Sequence, residues 1–103
     1  MTTVARSPNM SAHEVRQRLQ RARNSRRAQL RAVEDTAPLV DKDLTTARKV
    51  AIHYALSEIT AAERRLANGA YGTCQACRAG IAIERLEVLP YARYCVSCQE
   101  RLT

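Results

Sequence analysis

The sequence contains no tryptophan and no phenylalanine, and four tyrosines make up its whole aromatic content of 4%. A chain of 103 residues with so little aromatic area gathers a thin core, since burial yields only about 25 cal/mol per Å². Small domains of this kind usually need a staple or a partner. Three glycines and three prolines are too few for a turn-rich β fold or a low-complexity tail. No apolar run approaches the roughly 20 residues of a membrane span. Residues 1–10 lack the apolar stretch of a secretory signal. The expectation is one small domain in the reducing cytoplasm, with no membrane segment.

Acid is almost missing from the first third. Residues 1–33 carry eight arginines against Glu14 alone, and the chain's formal charge is +7, so the remainder is balanced. Such asymmetry points to a polyanionic partner or an acidic protein surface. A solvated helix face that serves solubility explains it equally well.

What the chain does have is four cysteines at Cys74, Cys77, Cys95 and Cys98, two C-x2-C pairs separated by seventeen residues. Two residues between paired cysteines let a tight turn aim both sulfurs at one point, and two such turns complete a tetrahedral four-sulfur site. Thiolates in that geometry favour zinc, with iron as the main competitor. Disulfides fit poorly with a reducing compartment, and no βαβ pattern supports a thioredoxin-like centre. Four sulfurs leave no position for water, so the reading is one structural Zn²⁺ that supplies folding free energy. Arg78, Arg85, Arg93 and Arg101 are candidates to screen the excess negative charge.

Two long helical segments precede the cysteines. Ser11 and Glu14 match a capping box, and from there to about Val33 no glycine or proline interrupts a run rich in Ala, Arg, Gln and Leu. Val15, Leu19 and Ala22 begin a seam that meets Arg26 and Gln29 before Val33, and Pro38 ends the helix. Asp41 or Asp43 caps a second helix, which runs to Asn68-Gly69, a good C-terminal stop. Its Ile52, Ala55, Ile59, Ala62 and Leu66 keep 3-4-3-4 spacing, a coiled-coil seam. The two helices predict an antiparallel hairpin with its tip near residues 34–40; a parallel homodimer through the same seam is the competing arrangement. Between the cysteine pairs, Ile81 and Ile83 alternate as in a short strand, with a second brief strand at 85–89 before Pro90. Residues 96–102 read as a terminal helix. The predicted fold is thus mainly α: a two-helix coiled-coil hairpin, then a small four-cysteine zinc finger with short β strands and a C-terminal helix. The implied divisions are a flexible 1–10, a hairpin at 11–69 and a finger at 70–103.

The remaining polar residues suggest no catalysis. His13 and His53 read as surface or seam-edge residues. No Gly-rich phosphate loop, G-x-S-x-G or H-E-x-x-H is present. The chain does not read as an enzyme.

Tyr71-Gly72-Thr73-Cys74-Gln75-Ala76-Cys77, then Ile81, Ile83, Arg85-Leu86-Glu87, Pro90 and Cys95-Val96-Ser97-Cys98, resembles the DksA/TraR zinc-finger family over about thirty residues. The resemblance implies a transcription regulator that binds RNA polymerase directly, its hairpin entering the secondary channel. Acidic tip residues of the family's D-x-x-D-x-A pattern fall here on Asp35 and Ala37, with Ala32 in place of the first Asp and Glu34 beside it. Where larger members place basic residues for guanosine tetraphosphate, this chain has Glu58, Leu89 and Gln99, none able to clamp a phosphate. The resemblance therefore implies action without that alarmone at the shared site. Arg78 stands where glycine commonly follows the second cysteine, which implies a slightly different knuckle with the metal retained.

The alternative function is a nucleic-acid-binding zinc module. Arg16, Arg18, Arg21, Arg23, Arg26, Arg27 and Arg31 are its candidate polyanion contacts, spread round the first helix. No aromatic residue precedes Tyr54, so base stacking is not expected. A monomer is the expected state.

Overall fold

The computed structural model describes residues 10–103. The expected flexible segment 1–10 lies outside these residues except for Met10, which is buried. Ser11 opens helix α1 (Ala12–Thr36) with the full capping box: its hydroxyl accepts from the Glu14 backbone N–H at 3.1 Å, and the Glu14 carboxylate accepts from the Ser11 N–H at 2.9 Å. Met10 and Val15 occupy the two positions of a hydrophobic staple, and both belong to the core. The staple holds the chain one residue before the Ser11 cap.

Helix α1 runs three residues further than its sequence pattern suggests and ends in a 3-10 turn, Ala37–Leu39, that holds Pro38 near its start. Proline tolerates that position because the first N–H groups of a helix lack partners anyway. Asp41 then caps helix α2 (Lys42–Ala67), its carboxylate accepting from the Leu44 N–H at 3.0 Å. The far end of α2 closes in a Schellman motif: Ala70 N–H reaches the Arg65 carbonyl at 2.8 Å and Gly69 N–H the Leu66 carbonyl at 3.2 Å. Gly69 takes φ +76°, where a side chain would be strained. The two helices pack along their lengths as an antiparallel hairpin.

The seam is as its spacing predicts. Ile52, Ala55, Ile59 and Ala62 are buried, and Leu66 packs partly buried against them. Val15 and Leu19 of α1 share one cluster with Ile59 and Ala62, with Ala22 and Leu66 packed against it. Apolar spacing fades beyond Ala22, and so does burial: Gln29 is exposed and Val33 is only half-buried.

The expected β strands are absent. The segment between the cysteine pairs forms a short helix α3 (Ile83–Val88), and among the described residues the only β pairing is an isolated bridge between Thr73 and Gly80. Two alternating isoleucines are too short a pattern to distinguish strand from helix. The helix buries Leu86, leaves Ile83 half-buried on the same side one turn back, and turns Val88 outward at 85% exposure. A strand would have sent Val88 inward with Leu86. Helix α4 (Val96–Leu102) forms as expected.

The base of the hairpin and the finger share one core. Met10, Val15, Leu19, Ile59 and Ala62 cluster with Tyr71, Cys74, Ile81, Leu86, Ala92 and Cys98. The molecule measures 51 × 31 × 21 Å. Hydrogen bonds from the finger reach no further out than Arg26 on α1 and Glu58 on α2 among the described residues. Ten more residues of α1 continue past Arg26, about 15 Å at 1.5 Å per residue. The hairpin therefore projects.

Candidate metal centre

The first pair of cysteines sits on a knuckle. The Cys74 N–H donates to the Ala79 carbonyl at 2.8 Å, the Arg78 N–H donates back to the Cys74 carbonyl at 2.9 Å, and the Thr73–Gly80 bridge closes the loop. Arg78 adopts φ +67° to make this turn, in the left-handed region that glycine enters freely. The altered knuckle expected from an arginine at this position is therefore a strained backbone, and the turn itself is retained. The second pair uses a helix start instead. Cys95 is the N-cap of α4 and Cys98 lies in its first turn. The Gln75 N–H donates to the Arg93 carbonyl at 2.9 Å and holds the two halves together.

All four sulfurs converge. They lie within 4.8 Å of one another, and Cys77 Sγ is 3.9 Å from Cys95 Sγ. A tetrahedron with metal–sulfur bonds of about 2.3 Å has edges of about 3.8 Å. The donor set is soft, complete and free of any carboxylate or imidazole, which fits one structural Zn²⁺. Cys74 and Cys98 are buried, Cys95 is half-buried and Cys77 is exposed. Burial pushes the Cys74 thiol up, but backbone N–H groups at Cys77, Cys95 and Ala76 outweigh it and lower the thiol to about 6. Cys98 has no such donors; burial and its thiol neighbours push it up to about 12. A cation at the centre removes that conflict, because a metal-bound thiol is held deprotonated.

Of the four arginines expected to screen the thiolates, only Arg101 touches one, donating to Cys98 Sγ at 3.0 Å. Arg78 is exposed. Arg85 donates to the Tyr94 carbonyl at 2.8 Å, fixing the approach to Cys95. Arg93 forms a forked pair with the Glu58 carboxylate and also donates to the Gln75 side chain at 2.9 Å. That pair raises the Arg93 pKa through its hydrogen bond to Glu58. Both partners are needed elsewhere: they clamp the finger onto α2.

Two more contacts complete the clamp. Arg65, buried on α2, points its guanidinium at the Tyr91 and Ala92 carbonyls at 3.4 and 3.5 Å. Burial lowers its pKa, with the neighbouring Arg93 adding to the effect. On α1, Arg26 donates to the Tyr91 hydroxyl at 3.0 Å. Glu58 and Arg65 stand seven residues apart beside the apolar seam, and that heptad spacing of opposite charges is the one sign in the sequence of a second, polar face.

The recurrent letters of the finger now have physical reasons. Tyr71 is buried, and its hydroxyl donates to the Pro90 carbonyl at 2.7 Å, so the tyrosine and the proline form one unit. Gly72 takes φ +84° and its carbonyl accepts from Ile81, which is buried beneath it. The tip residues are placed differently. Glu34 and Asp35 are exposed at the end of α1, and Ala37 is half-buried in the 3-10 turn. His13 and His53 are both exposed. Arg23 is engaged by Glu63 and Thr60, and Arg26 by Tyr91, which takes two of the seven candidate polyanion contacts out of solution.

A finger of four convergent sulfurs clamped to a helical hairpin defines a class: a C4 zinc-finger protein with a projecting coiled-coil arm. Residues 69–103 match the family model for the prokaryotic dksA/traR C4-type zinc finger. A solved structure described as that of transcription factor DksA2 from Pseudomonas aeruginosa is similar to it, with 25% identity and a TM-score of 0.69 over 88% of this chain and 81% of that one. No curated protein gives a significant match. No helix among the described residues is long and apolar enough to cross a membrane.

Two predictions test the centre. Arg78→Gly relieves the positive φ and raises stability by about 1 kcal/mol, whereas Arg78→Ala, which keeps the strain, does not; urea unfolding of the zinc-loaded protein measures both. Burial raises the Tyr71 phenol from 10.0 to about 12. Because the folded value lies above the unfolded one, this stabilisation is complete below pH 10 and is lost as pH rises from 10 toward 12. Tyr71→Phe is expected to cost about 1 kcal/mol at neutral pH through the lost bond to Pro90, and to flatten the fall in urea midpoint above pH 10.

Proposed function

We propose that this chain is a transcription regulator that binds RNA polymerase directly and inserts the tip of its hairpin into the secondary channel to modulate initiation. The observation that carries the reading is the projecting arm: a hairpin that outruns its finger and exposes Glu34 and Asp35 at its end. The match of residues 69–103 to the dksA/traR C4-type zinc finger and the likeness to a solved transcription factor support it. In this reading the finger and clamp set the angle of the arm, the helices give it reach, and the acids at the tip act on whatever lies at the bottom of the opening. The protein works in the cytoplasm as a monomer.

The same reading holds that guanosine tetraphosphate plays no part at the site shared by larger family members. Glu58 carries the wrong sign for a phosphate and is already paired with Arg93, and Leu89 and Gln99 offer no cation. The pairing leaves Arg93 engaged with a carboxylate as well.

Retention of core polymerase on the zinc-loaded protein is the direct test. Wild type is expected to retain polymerase and to change output from a responsive promoter, with no sharpening when guanosine tetraphosphate is added. Asp35→Asn is expected to keep the binding and lose most of the change in output, because the tip acts after docking. Failure to retain polymerase, or full activity in Asp35→Asn, contradicts the proposal.

A further inference from the structure

The structure sorts the arginines of α1 into two groups. Arg18 is half-buried, and Arg23 and Arg26 are engaged within the fold. Arg16, Arg21, Arg27 and Arg31 are exposed, and none of them makes an ion pair or hydrogen bond among the described residues. At 100° per residue these four span an arc of about 140° that excludes the buried Val15 and Leu19. Between them lie exposed Gln17, Gln20, Asn24 and Ala28, with Gln20 donating to Asn24 at 3.0 Å. The expected spread round the whole helix is thus narrowed to one outward half.

This face has an unusual makeup. From Val15 to Val33 it holds no acid, and its largest exposed apolar side chain is alanine. Protein interfaces draw their energy from aromatic or aliphatic anchors in a dehydrated centre. Nothing here supplies one. Phosphate backbones need none: they are held by guanidinium forks and by amide side chains, without stacking. The fifteen residue steps from Arg16 to Arg31 span about 22 Å, the length of six or seven base-pair steps at about 3.4 Å each.

We propose that the outward face of α1, through Arg16, Arg21, Arg27 and Arg31, binds the phosphate backbone of duplex DNA without reading its sequence. This surface is separate from the tip and from the finger clamp, and it stands whether or not the hairpin enters polymerase. An acidic protein surface is the rival occupant and is an outcome of the test.

Fluorescence anisotropy of a labelled duplex of arbitrary sequence, with the full zinc-loaded chain, reads the interaction across a salt series. Four phosphate contacts at about 0.9 each give a slope of log affinity against log salt of about −3.6. Each single Arg27→Gln or Arg31→Gln is expected to reduce that slope by about 0.9. Replacing all four arginines by glutamine, a comparable helix former, is expected to lower affinity at least tenfold at about 0.1 M salt. A control with Lys42, Arg48, Lys49 and Arg64 changed to glutamine removes the same charge elsewhere, and is expected to change affinity less than about threefold. The single variants keep the question open to decision if the fourfold variant loses its helix by circular dichroism. The proposal is overturned by absence of binding at about 50 mM salt, by equal losses in the two fourfold variants, or by displacement with poly-glutamate at matched charge, which would assign the face to an acidic protein.

Discussion

Everything in this molecule turns on four sulfurs brought to one point beneath a core that the hairpin also uses. Cys74 and Cys98 are members of the same buried cluster as Leu19 and Ile59. The metal's ligands are therefore packed directly into the hydrophobic base of the helices. In a chain without Phe or Trp, the apolar area is too small to be divided between two independent units. Metal binding contributes what the side chains lack, and the benefit reaches the helices because the core is continuous.

A polar layer makes that continuity directional. The Glu58–Arg93 pair, the Arg65 guanidinium on the Tyr91 and Ala92 carbonyls, and the Arg26–Tyr91 bond approach the finger from both helices. Apolar burial alone is tolerant of small rotations, whereas forked, part-buried charge pairs are not. The arm thus leaves the finger at a defined angle, and its outer residues, where apolar burial has thinned, are free to meet a partner. Stability at the base and exposure at the tip follow from one gradient in the sequence: apolar seam residues give way to arginine, glutamine and acid along α1.

Much of this is legible in the sequence, and the reason is locality. The Ser11 capping box, the Asp41 cap and the Asn68-Gly69 stop are set by neighbours within five residues. The seam from Ile52 to Leu66 repeats often enough to declare its period, and the cysteine spacing carries its geometry in four letters. Sequence misleads where the pattern is short or the partner distant. Ile81 and Ile83 cannot distinguish a strand from the helix that Glu84, Arg85 and Leu86 prefer. Glu58 and Arg93 meet across 35 positions, so nothing local shows that Arg93 serves a carboxylate instead of the thiolates. The Met10–Val15 staple is recognised only once both residues are known to be buried.

Hydrogen exchange, compared between zinc-loaded protein and protein stripped of metal by a chelator, tests the shared core most directly. The account predicts that stripping the metal deprotects the finger together with the α1 and α2 amides that flank it, around residues 15–26 and 55–66. If exchange rises only within residues 70–103 while those helical amides keep their protection, the hairpin stands without its metal and the account is wrong.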